Sequence, residues 1–226
     1  MMQNLGISFT FPFKDQRWLS KFLLAALFML LSILVVGIFF LLGYYVQVIQ
    51  RVIRKDENPM PEWDEMGEKF VLGFKYFVVY LVYLIPVILL YVLFLAAVIA
   101  ASLSGGQEIS TLINIMSILL VIILLPYTLA LSALTPIISA RFAATESISE
   151  ALDVAGIVRQ FKMNWQNAII VALITVGIQS FAAVGLIVLI VGIFFTLFYS
   201  YLASAHMAGL LYLDSMEKAQ VAQSIS

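Results

Sequence analysis

The chain has 226 residues, of which 63% are hydrophobic and 11% are charged, and its formal net charge is −1. An ordinary soluble domain is about 25% charged, so the surplus of apolar side chains indicates a membrane protein. The near-neutral charge argues against a nucleic-acid partner, and the absence of cysteine excludes disulfides, thiolate catalysis and cysteine-ligated metals.

The apolar runs are longer than barrel strands and apolar on every face. They predict an all-α, polytopic helical membrane protein in which residues 1–226 form one membrane domain. Four apolar regions, at about 19–50, 74–103, 111–140 and 167–213, are separated by two polar elbows and a turn.

The first apolar region, residues 19–50, follows a short head that ends in Trp18, an aromatic residue expected in the headgroup layer. As a straight helix this region would be about 48 Å long, whereas the hydrocarbon core is about 30 Å thick. It is therefore either one long tilted helix or a short re-entrant hairpin that turns near Ser32 to Gly37.

The first elbow, residues 51–73, holds the densest cluster of charge. Arg51, Arg54 and Lys55 lie opposite an apolar stripe, where they would face lipid headgroups or a partner protein.

Prolines divide this elbow, because Pro59 and Pro61 lack N–H donors and restrain the residues before them. Pro61 is expected to begin the next helix, with Trp63 on its apolar face. Glu65 and Lys69 are expected to pair across one helical turn.

The following apolar regions predict transmembrane helices, joined by a turn at residues 104–107. The run at 167–213 would measure about 70 Å as a helix, so it must cross the membrane twice. We expect its break near Gln179 to Gly185.

The second elbow, residues 141–166, carries a capping box, in which Ser147 precedes Glu150 by three positions. An amphipathic helix follows, and it is expected to lie on the membrane surface. Its expected contacts with lipid or a partner are Arg159, Lys162 and Trp165.

Basic residues cluster at Lys14 to Lys21, Arg51 to Lys75 and Arg141 to Lys162, with Lys218 in the tail. A five-pass chain would put the first cluster outside the cell. A hairpin gives six segments and puts all 12 basic residues inside, which the positive-inside rule favours. We prefer this topology in the cell membrane, with both termini and both elbows cytoplasmic, although each hairpin arm is short.

His206 is the only histidine. Ser200, Ser204 and Ala208 recur every four residues around it, a spacing that allows close helix packing, so an interhelical hydrogen bond is the preferred role. The alternative is an axial ligand to haem or a chlorin. Otherwise no cofactor or metal is expected.

No catalytic motif is present, and the centres of the membrane segments carry no Asp, Glu, Lys or Arg. The acids around Glu62 have basic neighbours in sequence, so a solvated, ion-paired loop explains them better than a catalytic pair. The chain is not expected to be an enzyme.

Several short motifs are spread along the chain. They include Trp18 and Lys21, Gly43-Tyr44, Val48 to Ile53, Pro59-Met60-Pro61-Glu62-Trp63-Asp64, Arg141-Phe142 and Ala205-His206. Together these motifs resemble an uncharacterised family of bacterial and archaeal integral membrane proteins, a domain of unknown function. The resemblance covers nearly the whole chain and implies a multi-span membrane protein without a known activity.

Two functions remain. The preferred one is a non-catalytic accessory or scaffold subunit of a membrane complex, with lipids and a protein as partners. The alternative is a small transporter component for an apolar or lipid-like substrate, which a polar cavity at Asn114 and Gln179 would favour.

Overall fold

The computed structural model describes residues 5–104, 109–182 and 189–225, and all regular secondary structure in these ranges is helical. The predicted all-α polytopic fold is therefore confirmed. The chain divides into two compact units: a larger unit of residues Met1–Val79 and Ala133–Ser226, and a smaller unit of residues Tyr80–Ser132.

The helices are numbered in chain order. They are α1 Ile7–Thr10, α2 Trp18–Leu31, α3 Val36–Arg54, α4 Met66–Ser104, α5 Ile109–Thr145, α6 Ile148–Leu152, α7 Val154–Met163, α8 Trp165–Ala182 and α9 Leu189–Ile225, with 3₁₀ turns at Phe11–Lys14 and Ser32–Leu34.

Four helices of the described chain have the length and composition to cross a bilayer, and the number rises to six if each of two bent pairs forms one span. In each bent pair a short helix meets a longer one, at 101° in the first pair and 98° in the second. The single helices are Val36–Arg54, Met66–Leu103, Thr111–Thr145 and Gly192–Ser224, and the bent pairs are Ile7–Lys14 with Trp18–Leu34 and Val154–Met163 with Trp165–Phe181.

The first apolar region is a helical hairpin, as the second of the two sequence interpretations predicted. α2 would extend about 21 Å, and the chain reverses at Val35, whose φ of 66° lies in the left-handed region. Phe28 on α2 packs against Phe40 on α3, with ring centroids 4.9 Å apart. A side chain at Gly37 would overlap the Phe28 carbonyl, so this glycine lets the arms approach closely.

The start of α4 differs from the prediction. The helix begins at Met66 rather than Pro61, and Glu65 has a φ of 45°. The expected Glu65–Lys69 pair is also wrong, because the Lys69 ammonium donates to the Asp64 main-chain oxygen at 2.6 Å. Contacts with α2 and α3, described below, hold Pro61 and Trp63 outside a helix.

The second elbow contains two helices rather than the single amphipathic helix predicted. Ser147 caps α6 as expected, accepting the Glu150 N–H at 3.4 Å, but Asp153 then interrupts the helix and caps α7 through the Gly156 N–H at 3.1 Å. Arg141 holds this break by binding the carboxylates of Glu150 and Asp153 at 2.9 and 3.0 Å.

Two other predictions fall partly outside the described residues. The turn expected at 104–107 lies outside the described residues except for Ser104. The break expected near Gln179 to Gly185 lies outside them beyond Ala182. The polar tail is helical, since α9 continues to Ile225.

The core of the larger unit forms where α3 crosses α9. A Cβ atom added to Gly209 would lie 2.6 Å from Val52 Cγ1, so only a residue without a side chain fits this crossing. Ala205 and Ala208 are fully buried beside it. Small residues therefore bring α9 against α3 and place His206 beneath residues 5–17, which we call the N-terminal segment.

Candidate functional site

A buried ion pair joins the N-terminal segment to α2. Lys21 Nζ lies 2.6 Å from Asp15 Oδ2, and the two side chains are 2% and 4% exposed. Lys21 also lies 2.9 Å from Glu62 Oε1 and donates to the Met60 carbonyl at 3.2 Å. One lysine therefore fastens the N-terminal segment and the first elbow to the hairpin.

Asp15 receives several hydrogen bonds. Besides Lys21, Asn58 Nδ2 donates to it at 2.6 Å and the Arg17 main-chain N–H at 2.7 Å. Burial alone would raise the pKa of Asp15, but the hydrogen bonds from Asn58, Lys21 and Arg17, together with the Lys21 charge, hold this pKa below its ordinary value of 3.8.

Stability should depend on pH through Asp15. Because its pKa is lower in the folded chain than in the unfolded chain, its ionisation stabilises the fold above pH 3.8, and this contribution is lost as the pH falls through the folded value. We expect wild type to lose more thermal stability between pH 6 and pH 3 than an Asp15→Asn variant, as measured by unfolding in mild detergent. Equal losses would contradict this assignment.

Trp63 is half-buried. Its ring stacks between Phe28 and Tyr44, at centroid distances of 4.7 and 4.5 Å, and its Nε1 donates to the Lys21 carbonyl at 3.0 Å. The Tyr44 hydroxyl donates to the Pro61 carbonyl at 2.9 Å. These contacts hold the loop of residues 56–63 against the hairpin.

The other candidate residues of the first elbow have different surroundings. Arg51 Nη1 donates to the carbonyl oxygen of Met60 at 3.2 Å, whereas Arg54 and Lys55 are exposed. Trp18 is half-buried, with its ring edge-on to Phe22 at 5.7 Å. Arg51 therefore contacts the loop, and Trp63 is the loop residue that packs on the hairpin, whereas Arg54 and Lys55 lie at the surface.

The candidates of the second elbow lie on the outer surface of the larger unit. Arg159 and Lys162 are exposed beside a shallow groove on α7, and Trp165 is exposed at the start of α8. A hydrogen bond of 2.9 Å from Gln50 Nε2 to Glu146 Oε1 joins the end of α3 to the second elbow.

His206 is 5% exposed and lies beneath the N-terminal segment. Its Nδ1 is 2.9 Å from Ser8 Oγ, and its ring stacks on Phe11 at a centroid distance of 4.7 Å. Its contacts therefore come from a segment at the other end of the sequence.

A cavity of about 490 Å³ opens above His206, and we call it the elbow cavity. Phe11, Asp15 and His206 are buried at its base, and the charged residues of its rim are exposed. The N-terminal segment contributes Lys14 and Arg17 to the lining, and the loop contributes Asp56, Glu57, Asn58 and Glu62.

Residues 26–193 match a family described as "Protein of unknown function (DUF4013)". The chain belongs to this family. No curated protein and no solved structure matches it. The matched residues include the loop and both elbows, but neither the Asp15–Lys21 pair nor His206.

In this DUF4013 chain, sequence reasoning missed Asp15 and Asn58 as members of the site. One signal was available, because Lys21 stands inside the start of an apolar helix, where a cation requires a partner. The identity of that partner depends on the reversal of the chain before α2.

Proposed function

We propose that this multi-span helical membrane protein is a non-catalytic accessory or scaffold subunit of a membrane complex. The observation that carries the proposal is how little of the two apolar helices in the smaller unit is buried. In the most apolar window of Met66–Leu103 no residue is buried, and in that of Thr111–Thr145 only 6% are, whereas 56% are buried in Gly192–Ser224. Such helices have apolar faces available for packing against another membrane protein.

Ion pairs among the N-terminal segment, α2 and the first elbow support a structural role. Lys21 pairs with Asp15, and Arg17 pairs with Glu62 at 2.8 Å. These groups connect chain segments to one another, as a scaffold requires.

We also propose that the polar end of the larger unit faces the cytoplasm of a prokaryotic cell. The hydrogen bond between Gln50 and Glu146, and that of Lys218 with Asn164 at 2.6 Å, bring the end of α3, the second elbow and the end of α9 together. This grouping supports a common side for the basic clusters, which the positive-inside rule assigns to the cytoplasm.

Site-specific photocrosslinking tests the proposal. The natural chain has no cysteine, so Leu93→Cys and Ile122→Cys each introduce one attachment point for a benzophenone on the smaller unit. The matched control is Leu173→Cys on α8, and the three side chains are 65%, 60% and 67% exposed. In native membranes we expect one protein adduct of defined mass from the first two positions and none from the third.

A result with lipid adducts alone at all three positions would contradict the subunit proposal. It would favour the alternative, a transporter component for an apolar or lipid-like substrate. The observation behind this alternative is an apolar groove of about 270 Å³ in the larger unit, lined by residues that include Met29, Leu41 and Tyr201. Asn114 and Gln179, the polar residues that the sequence suggested for such a route, are both exposed.

A further inference from the structure

The elbow cavity has the size of a ligand site and is only partly neutralised by its own residues. Its volume of about 490 Å³ lies within the range of small-molecule sites, about 300–1,000 Å³. In its lining, Arg17 is paired with Glu62 and Asp15 with Lys21.

Three charged residues of the lining remain without an ion pair among the described residues: Lys14, Asp56 and Glu57. The base belongs to the N-terminal segment and the two acids to the loop. Opposite charges thus line one cavity without neutralising each other. This arrangement fits a ligand that carries both signs of charge a few bonds apart.

His206 supplies a polar atom at the base of the cavity. Ser8 occupies its Nδ1, and Phe11 covers one face of its ring, so the orientation of the imidazole is fixed. Nε2 has no hydrogen-bond partner among the described residues and is not one of their buried unpartnered atoms, so it is accessible although most of the side chain is buried. When the Ser8 hydroxyl donates to Nδ1, Nε2 carries the proton and becomes a donor.

We propose that the elbow cavity binds the phosphoethanolamine headgroup of a membrane phospholipid. The ammonium donates to the carboxylates of Asp56 and Glu57, and the phosphate accepts from the Lys14 ammonium and from His206 Nε2. The lipid is the source that the position favours, because the cavity lies next to the start of α2, where the sequence predicts Trp18 in the headgroup layer.

The chemistry of other headgroups makes the proposal specific. Phosphatidylcholine carries the same phosphate, but its trimethylated nitrogen has no N–H to donate to the two acids. Phosphatidylglycerol has the phosphate and no amine. The contacts of the ammonium and of the phosphate can therefore be tested separately, either by changing the lipid or by changing the protein.

The experiment measures lipid retention by the purified full-length chain, using native mass spectrometry. Palmitoyl-oleoyl phosphatidylethanolamine, phosphatidylcholine and phosphatidylglycerol are offered at matched concentrations. We expect wild type to retain the ethanolamine lipid about tenfold better than the choline lipid, equivalent to about 1.4 kcal/mol.

Two variants test the contacts of the ammonium and of the phosphate separately. The double variant Asp56→Asn with Glu57→Gln should abolish the preference for the ethanolamine lipid and leave the glycerol lipid equal or better retained. Lys14→Gln should weaken retention of both the ethanolamine lipid and the glycerol lipid. Glu217→Gln on α9 changes an exposed acid outside the cavity and should leave retention unchanged.

Equal retention of the ethanolamine and choline lipids by wild type would overturn the proposal, and so would an unchanged preference in the double variant. The variants lie on the exposed rim, and a thermal-unfolding midpoint equal to that of wild type confirms that each is folded. Displacement of the lipid by soluble glycerophosphoethanolamine would overturn the lipid as the source and assign the cavity to the free headgroup.

Discussion

Replacing Lys21 with methionine is expected to destabilise the larger unit by about 3–5 kcal/mol. The substitution keeps an apolar stem of similar length and removes the ammonium, which leaves the Asp15 carboxylate charged, buried and without its ion-pair partner. Reversible unfolding in mild detergent, followed by tryptophan fluorescence, measures the change in the free energy of unfolding.

Arg17→Gln is the matched control. Arg17 also pairs with Glu62, but its side chain is 68% exposed, so its loss should cost less than about 1 kcal/mol. Equal destabilisation of the two variants would contradict the claim that the buried Asp15–Lys21 pair stabilises the larger unit more than the exposed Arg17–Glu62 pair does. An Asp15→Asn, Lys21→Met double variant would show the coupling directly, because its loss should be smaller than the sum of the single losses.

A second large effect is expected at Gly43, on the face of α3 that packs against α4. A side chain here would overlap the main-chain carbonyl of Lys69, and a backbone atom cannot rotate away as a side chain can. Gly43→Ala should therefore force the two helices apart and cost about 3 kcal/mol. The same unfolding measurement tests it.

The first turn of α4 provides the matched control for this second variant. Gly67 has open space where a Cβ atom would lie, so Gly67→Ala should be neutral or stabilise the helix by up to about 1 kcal/mol. Equal destabilisation by the two alanines would contradict this explanation, because of the two glycines only Gly43 lies against a backbone atom of a neighbouring helix.

The membrane segments could be predicted because hydropathy is a local property. The hairpin was also within reach, since the distribution of basic residues favoured an even number of segments and the turn at Val35 falls within the expected stretch. The start of α4 was not, because Pro61 has an intrinsic preference for the first position of a helix. The Tyr44 hydroxyl and the stacking of Trp63 on Phe28 override that preference through contacts with the hairpin.

The candidate site shows the same limit more clearly. Charges of the first elbow were expected to pair with sequence neighbours, but Glu62 pairs with Arg17, 45 positions away. His206 was recognised as unusual, yet its contact with Ser8 spans 198 positions. No local pattern encodes contacts of that separation, which arise only when α9 packs under the N-terminal segment.

The contacts of the N-terminal segment also bear on how the protein is made. Ser8 contacts His206, and the Tyr199 hydroxyl donates to the Phe9 carbonyl, so this segment packs against a helix that is synthesised about 190 residues after it. During translation this segment lacks its contacts with α9 until the intervening helices have been inserted and α9 has been synthesised. A chain that stalled before α9 would leave Phe9 and Phe11 without their contacts on α9 and exposed to the cell's membrane proteases.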